Sequence, residues 1–225
     1  MFKRRENLLR KRLNKKLKYQ ISEPTSNKND LKVIFLLHGY GSNDEDLFSL
    51  KDFIPSNYIV ISLRAPISMG FNSYAWYSIN FEKNFDRWIN YDEAINSKNI
   101  IINDILLHVK DLGLENKRIS LLGFSQGATL SWSLGLEYPH LIKNILPLSG
   151  FYNSEITNCN FNSKFKLNCY ASHGIKDEII PIEWARKSIQ LLNKDEINIM
   201  FKEYDSGHEI NHENLTDIID WLKKN

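Results

Sequence analysis

The chain has 225 residues, 42% hydrophobic and 25% charged, the proportions of one globular domain and not of a disordered or collagen-like chain. Its formal net charge of +2 hides a split, because residues 1–18 carry +8 and the rest of the chain −6. An acidic body argues against a nucleic-acid-binding domain, no run nears eighteen consecutive apolar residues, and no apolar signal region follows the basic N-terminus.

Residues 1–18 read as a basic arm, with Leu9, Leu13 and Leu17 at helical i, i+4 spacing. The arm is either a solvated tail or a short amphipathic helix, and weak contact with an anionic lipid surface is its sharper reading. Residues 19–225 are expected to form one domain. Glu23–Asp30, polar and with a proline, reads as a turn. From there strands and helices alternate. Near-continuous apolar runs predict strands over Leu31–Leu37, Tyr58–Leu63, Ile119–Phe124, Lys143–Leu148, Leu167–Ser172 and Ile197–Tyr204. Helices are expected over Asp92–Leu112, Gln126–Tyr138, Ile182–Leu192 and Glu213–Lys224. Residues 65–90 have no clear periodicity. The fold class is therefore α/β, with a mostly parallel central sheet covered by helices on both faces and no large lid domain. The two cysteines, Cys159 and Cys169, are too few for a disulfide scaffold and point to a reduced, cytoplasmic protein.

Chemistry concentrates in the loops after predicted strands. Gly123-Phe124-Ser125-Gln126-Gly127 fits G-x-S-x-G between a strand and a helix, the setting in which a serine is exposed on a strained turn. A serine hydroxyl needs a base, and that base needs an orienting acid. The later strands end in loops carrying Asp177 and His208, so Ser125, His208 and Asp177 are the candidate nucleophile, base and acid. Asp205 is the weaker alternative acid. His38 and His173 read as structural, and His212 as a solvent-facing residue near the start of the last helix. His208-Glu209-Ile210-Asn211-His212 also fits H-E-x-x-H, a zinc-binding pattern that requires both histidines on one helical face. Here it straddles a loop and the start of a short helix, so no metal site is expected. The glycine-bearing loop Leu37-His38-Gly39-Tyr40-Gly41 can curl a backbone N–H toward a substrate oxygen, and the amide of Gln126 would be the second donor. The aromatic segment 64–81, with Phe71, Trp76 and Tyr77, is the candidate wall of an apolar substrate pocket.

These motifs, with His173-Gly174, Asp177, Pro181 and Gly207-His208 in order, resemble the carboxylesterase, lysophospholipase and acyl-protein thioesterase family of small α/β-hydrolases. Leu63-Arg64-Ala65-Pro66 with Ser73-Tyr74-Ala75-Trp76-Tyr77 looks like a bacterial branch of it. The resemblance implies a serine hydrolase of esters or thioesters with no metal or organic cofactor, and Tyr40 and Gln126 as oxyanion donors. Its expected partner is a small-molecule ester or thioester, and either a monomer or a homodimer fits. A non-catalytic ligand-binding protein of the same fold is the alternative. The basic arm has no counterpart in the resemblance.

Overall fold

The computed structural model describes residues 16–24, 31–79, 89–114, 119–158, 167–193 and 197–225. Among these, seven strands form one sheet: β1 (Tyr19–Ser22), β2 (Lys32–Leu37), β3 (Tyr58–Leu63), β6 (Ile119–Phe124), β7 (Ile142–Leu148), β8 (Asn168–Gly174) and β9 (Asn198–Tyr204). Their spatial order is β1-β3-β2-β6-β7-β8-β9. All neighbours are parallel except β1, which runs antiparallel to β3 with Tyr19 opposite Leu63. A short hairpin, β4 (Ile67–Gly70) and β5 (Ser73–Ala75), stands apart from the sheet.

Side-chain alternation along the central strands explains the two cores. On β2, Val33, Phe35 and Leu37 point to one face and Ile34 and Leu36 to the other, and all five are fully buried. The first face packs under helices α1 (Tyr91–Asp111), α2 (Gln126–Glu137) and α3 (Ile182–Leu192), through residues such as Ile101, Ile105, Leu130 and Trp132. The second packs against α4 (His212–Lys224), through Ile218, Trp221 and Leu222, and against Leu47 and Ile54. Strands buried on both faces are apolar at most positions, which is why their sequences read as near-continuous runs, with a few buried polar residues such as Ser62, Ser120 and Asn144 among them. None of the described helices is long and apolar enough to cross a membrane.

The helix ends follow local chemistry. Asn90 accepts a hydrogen bond from the Glu93 N–H, and Asp92 and Glu93 occupy the positive first turn of α1. Asn211 caps α4 in the same way, accepting from the Asn214 N–H at 2.8 Å. The thiol of Cys169 lies on β8 inside the first core, and burial raises its pKa well above the ordinary thiol range. Cys159 lies outside the described residues.

Three elements depart from the sequence expectation. The four-residue β1 has half-exposed Tyr19 and Ile21, so its own pattern is too short and too open to announce a strand; the edge of β3 supplies its partners. Within the irregular 65–90 segment lies the β4–β5 hairpin, whose tip turns through positive φ at Gly70, Phe71 and Asn72. Third, Lys16–Lys18, counted with the basic arm, are not helical and are fastened to the body. The Leu17 N–H donates to Asp104 Oδ1 at 2.7 Å, and Lys16 pairs with Asp111 at 2.8 Å. Leu9 and Leu13 lie outside the described residues.

The loop after β7 is held by a buried charge. Lys98, 4% exposed on α1, pairs with Glu137 at the end of α2 and donates to the Ile156 carbonyl at 2.5 Å. Glu137 also accepts from the Asn158 N–H at 2.5 Å. Breaking such a pair leaves a carboxylate with little solvent and no countercharge. Lys98→Met is expected to lower the unfolding free energy by about 3 kcal/mol, measured by urea denaturation.

Candidate active site

The strand order reverses direction at β2, whose neighbours are β3 on one side and β6 on the other. A crevice opens at the carboxyl ends of strands at such a point. Ser125 stands there, at the sharp corner between β6 and α2, with φ 55° and ψ −111°. A non-glycine residue in that region is strained and persists only where its surroundings hold it. The Ser125 N–H donates to the Leu148 carbonyl of β7 at 2.9 Å, which fixes the corner. The flanking glycines are a matter of space. A Cβ on Gly127 would come within 2.0 Å of the Leu37 carbonyl oxygen, and one on Gly123 within 2.2 Å of the Gly127 oxygen.

The loops after β8 and β9 bring Asp177 and His208 to the same corner. His208 Nε2 lies 2.9 Å from Ser125 Oγ, and His208 Nδ1 lies 2.7 Å from Asp177 Oδ2. The Phe124 ring packs beside the imidazole with centroids 4.9 Å apart. Asp177 is surrounded by donors: its Oδ1 accepts the N–H groups of Ile179 and Ile180, at 2.9 and 2.8 Å. His173 Nε2 lies 3.2 Å from Oδ2 and 2.8 Å from the Ile180 carbonyl. Since both neighbours are acceptors, that nitrogen carries the proton. Burial opposes the charge on Asp177, but the hydrogen bonds from His173, His208 and the Ile180 N–H outweigh it and hold the carboxyl well below the usual range. Asp205 points elsewhere, paired with Lys176 at 2.5 Å on the surface.

His38 is fully buried and bridges its own loop to the next. Its Nδ1 donates to the Gly39 carbonyl at 2.7 Å, and its Nε2 accepts the Ala65 N–H at 3.0 Å. Burial lowers its pKa and keeps it neutral. His212 opens α4 on the exposed side, with Asn211 as the cap, so His208 and His212 do not share a helical turn. The zinc reading of that pentapeptide therefore lacks its geometry.

A cavity of about 170 Å³ lies against Ser125 and His208, with Tyr40, Gln126 and Tyr77 in its lining. Of the three pocket residues expected from the aromatic segment, Tyr77 alone lines it. Trp76 is fully buried beneath, its indole N–H donating to the His38 carbonyl at 2.9 Å. Phe71 is fully exposed at the tip of the β4–β5 hairpin. Aromatic density in a sequence does not say which ring faces inward. Phe81 lies outside the described residues. The remaining lining comes from Ile79, Ile89, Thr129, Phe151, Ile179 and Ile180. Of these, Thr129 had a sequence signal, being four residues past Ser125 on one helical face. The Gln126 side chain has a role its sequence did not announce. It accepts from the Trp76 N–H at 2.9 Å and donates to the Tyr77 carbonyl at 2.5 Å, clamping the aromatic segment over α2.

The profile of the phospholipase/carboxylesterase family matches residues 19–225, and the chain belongs to that family. It is 24% identical over 208 residues to acyl-protein thioesterase 1 of Kluyveromyces lactis, covering 85% of this chain and 91% of that one. It is 32% identical over 115 residues to a probable SOBER1-like carboxylesterase of Arabidopsis thaliana, a match that takes in 50% of this chain and spans only 44% of the relative. In fold it resembles the crystal structures of esterase PE8 (TM-score 0.83, 24% identity, 93% of this chain and 99% of that one) and of the Bacillus cereus carboxylesterase (TM-score 0.79, 19% identity, 96% and 98%).

The depressed pKa of Asp177 has a consequence for stability. Its contribution is fully present above the unfolded-state value of about 4 and is lost as the pH falls toward the folded value. Asp177→Asn removes that contribution, so the stability gap between the unaltered protein and the variant is expected to narrow as the pH is lowered below about 4, read from urea midpoints at each pH.

Proposed function

We propose that this member of the phospholipase/carboxylesterase family hydrolyses carboxylic esters or thioesters through Ser125, His208 and Asp177, by way of an acyl-enzyme. The family membership supplies the reaction class. The observation that carries the assignment of residues is the unbroken chain of contacts Ser125 Oγ–His208 Nε2 at 2.9 Å and His208 Nδ1–Asp177 Oδ2 at 2.7 Å, on the strained corner that opens α2.

Ser125 Oγ attacks the carbonyl carbon as its proton passes to His208 Nε2. The tetrahedral oxyanion forms beside the N-terminus of α2. The Gln126 and Tyr40 amides, from two residues that line the cavity, are its donors in this reading, and losing one such donor typically costs about 3 kcal/mol of barrier. His208 then returns the proton to the departing alkoxide or thiolate, leaving Ser125 acylated. A water repeats the sequence: its proton goes to His208, its oxygen attacks the acyl carbon, and the proton is delivered back to Ser125 Oγ as the acid leaves. Asp177 keeps the proton of neutral His208 on Nδ1, so that Nε2 is free to accept, and it stabilises the imidazolium once formed. Its low pKa keeps it ionised throughout that cycle. The apolar cavity beside Ser125 receives the acyl group, and Tyr77 there remains a neutral phenol, because burial drives its pKa upward.

Ser125→Ala is expected to abolish both turnover of p-nitrophenyl acetate and labelling by a fluorophosphonate probe while leaving the circular dichroism spectrum unaltered. Retained turnover in that variant would overturn the assignment. Asp177→Asn should lower kcat by about 10³ to 10⁴, because the wrong imidazole tautomer then faces Ser125.

A further inference from the structure

The cavity beside Ser125 does not end at its far wall. Phe151 and Ile89 also border a second, wider depression of about 350 Å³. That depression is built from Tyr91 at the start of α1, the Phe151–Glu155 segment after β7 and one stripe of α3. On α3, Ile182, Ala185 and Leu192 are buried against the body. Trp184, Lys187 and Leu191, at i, i+3 and i+7, turn toward the depression.

Several of its polar groups are already hydrogen-bonded within the wall. The Tyr152 N–H donates to Ser188 Oγ at 2.9 Å, the Ser188 hydroxyl donates to the Trp184 carbonyl at 2.7 Å, and the Asn153 side chain accepts the Glu155 N–H at 2.8 Å. Ring surface is what the floor offers. Phe151 meets Trp184 edge to face, with centroids 4.9 Å apart and planes at 78°, and Tyr91 and Tyr152 are half-buried beside them. Exposed Lys187 and Glu155 form a charged rim.

We propose that this depression is a second substrate subsite that takes an aryl group carried by the ester or thioester attacked at Ser125, an inference that rests on the hydrolase reading above. The shared wall is the first reason, since a group in the depression is one short span from atoms held beside Ser125. Ring geometry is the second. A pre-set edge-to-face pair accepts a third ring in the same orientation without rearrangement, and that adds to what area alone gives. An alkyl chain gains the area and not the ring pairing.

A ring held there is bound alike in the ground state and the transition state, so its loss appears in KM. The experiment compares ethyl hexanoate with ethyl 4-phenylbutanoate, and ethyl acetate with 2-phenylethyl acetate, so that the ring is carried on the acyl side in one pair and on the alcohol side in the other. The unaltered protein is expected to prefer the ring-bearing member of at least one pair. Trp184→Ala should lower that preference about fivefold to tenfold, through KM. Trp184→Leu, which keeps apolar bulk without a ring, should lose it too, whereas Trp184→Phe should keep most of it. No preference in either pair, a preference untouched by Trp184→Ala, or an equal loss on hexanoate overturns the proposal, the last identifying an alkyl channel. Failure of the hydrolase reading would look different: the unaltered protein would hydrolyse none of the four esters and would not take the fluorophosphonate label.

Discussion

Ser125 occupies a backbone conformation that its side chain disfavours, and the rest of the molecule is arranged so that it has no other. Its N–H is held by β7, its preceding residue ends β6 and its following residue begins α2. The helix can start this close to the sheet because residue 127 has no side chain: the Leu37 carbonyl occupies the place a Cβ would need. The corner thus ties three adjacent strands to one helix. It sets the hydroxyl above the sheet and brings the positive end of α2 to the same spot. The two cores hold the strands in register, and the strain of one residue is small against that burial.

The second constraint is the Asp177 carboxylate. A buried anion is costly unless its lone pairs are filled. Here two backbone N–H groups and two imidazoles fill them. His173, anchored in β8, ties the carboxylate and the Ile180 carbonyl together, and so fixes the loop that also supplies Ile179 and Ile180 to the cavity. The position of His208 is therefore set twice, by its own loop after β9 and by a carboxylate that cannot turn. The Gln126 clamp does the corresponding work on the other side, holding Trp76 and Tyr77 over the start of α2.

The strands and helices were legible to within about two residues, because burial on both faces forces continuous apolar runs and burial on one face of a helix forces a 3.6-residue period. The elements that escaped were those whose stability comes from elsewhere. β1 has four residues and exists because β3 has a free edge. The hairpin at 67–75 is held by contacts to the loop after β2, such as the Gly41 N–H to the Tyr74 carbonyl. Leu17 stands at helical spacing from Leu13 in the sequence, yet its backbone is claimed by Asp104, eighty-seven residues away.

By itself, the sequence determined the order of the elements, the strand–turn–helix around Ser125, and the loops that carry an acid and a histidine, because each is a local pattern of burial or of residue type. Tertiary structure decided what meets what. It placed His208 rather than His173 against Ser125, put both imidazoles on one carboxylate, buried Trp76, exposed Phe71 and turned Tyr77 alone of the three toward the cavity. Periodicity reports that a side chain is covered. The neighbour that covers it comes from a distant part of the chain, and only the packed sheet brings the two together.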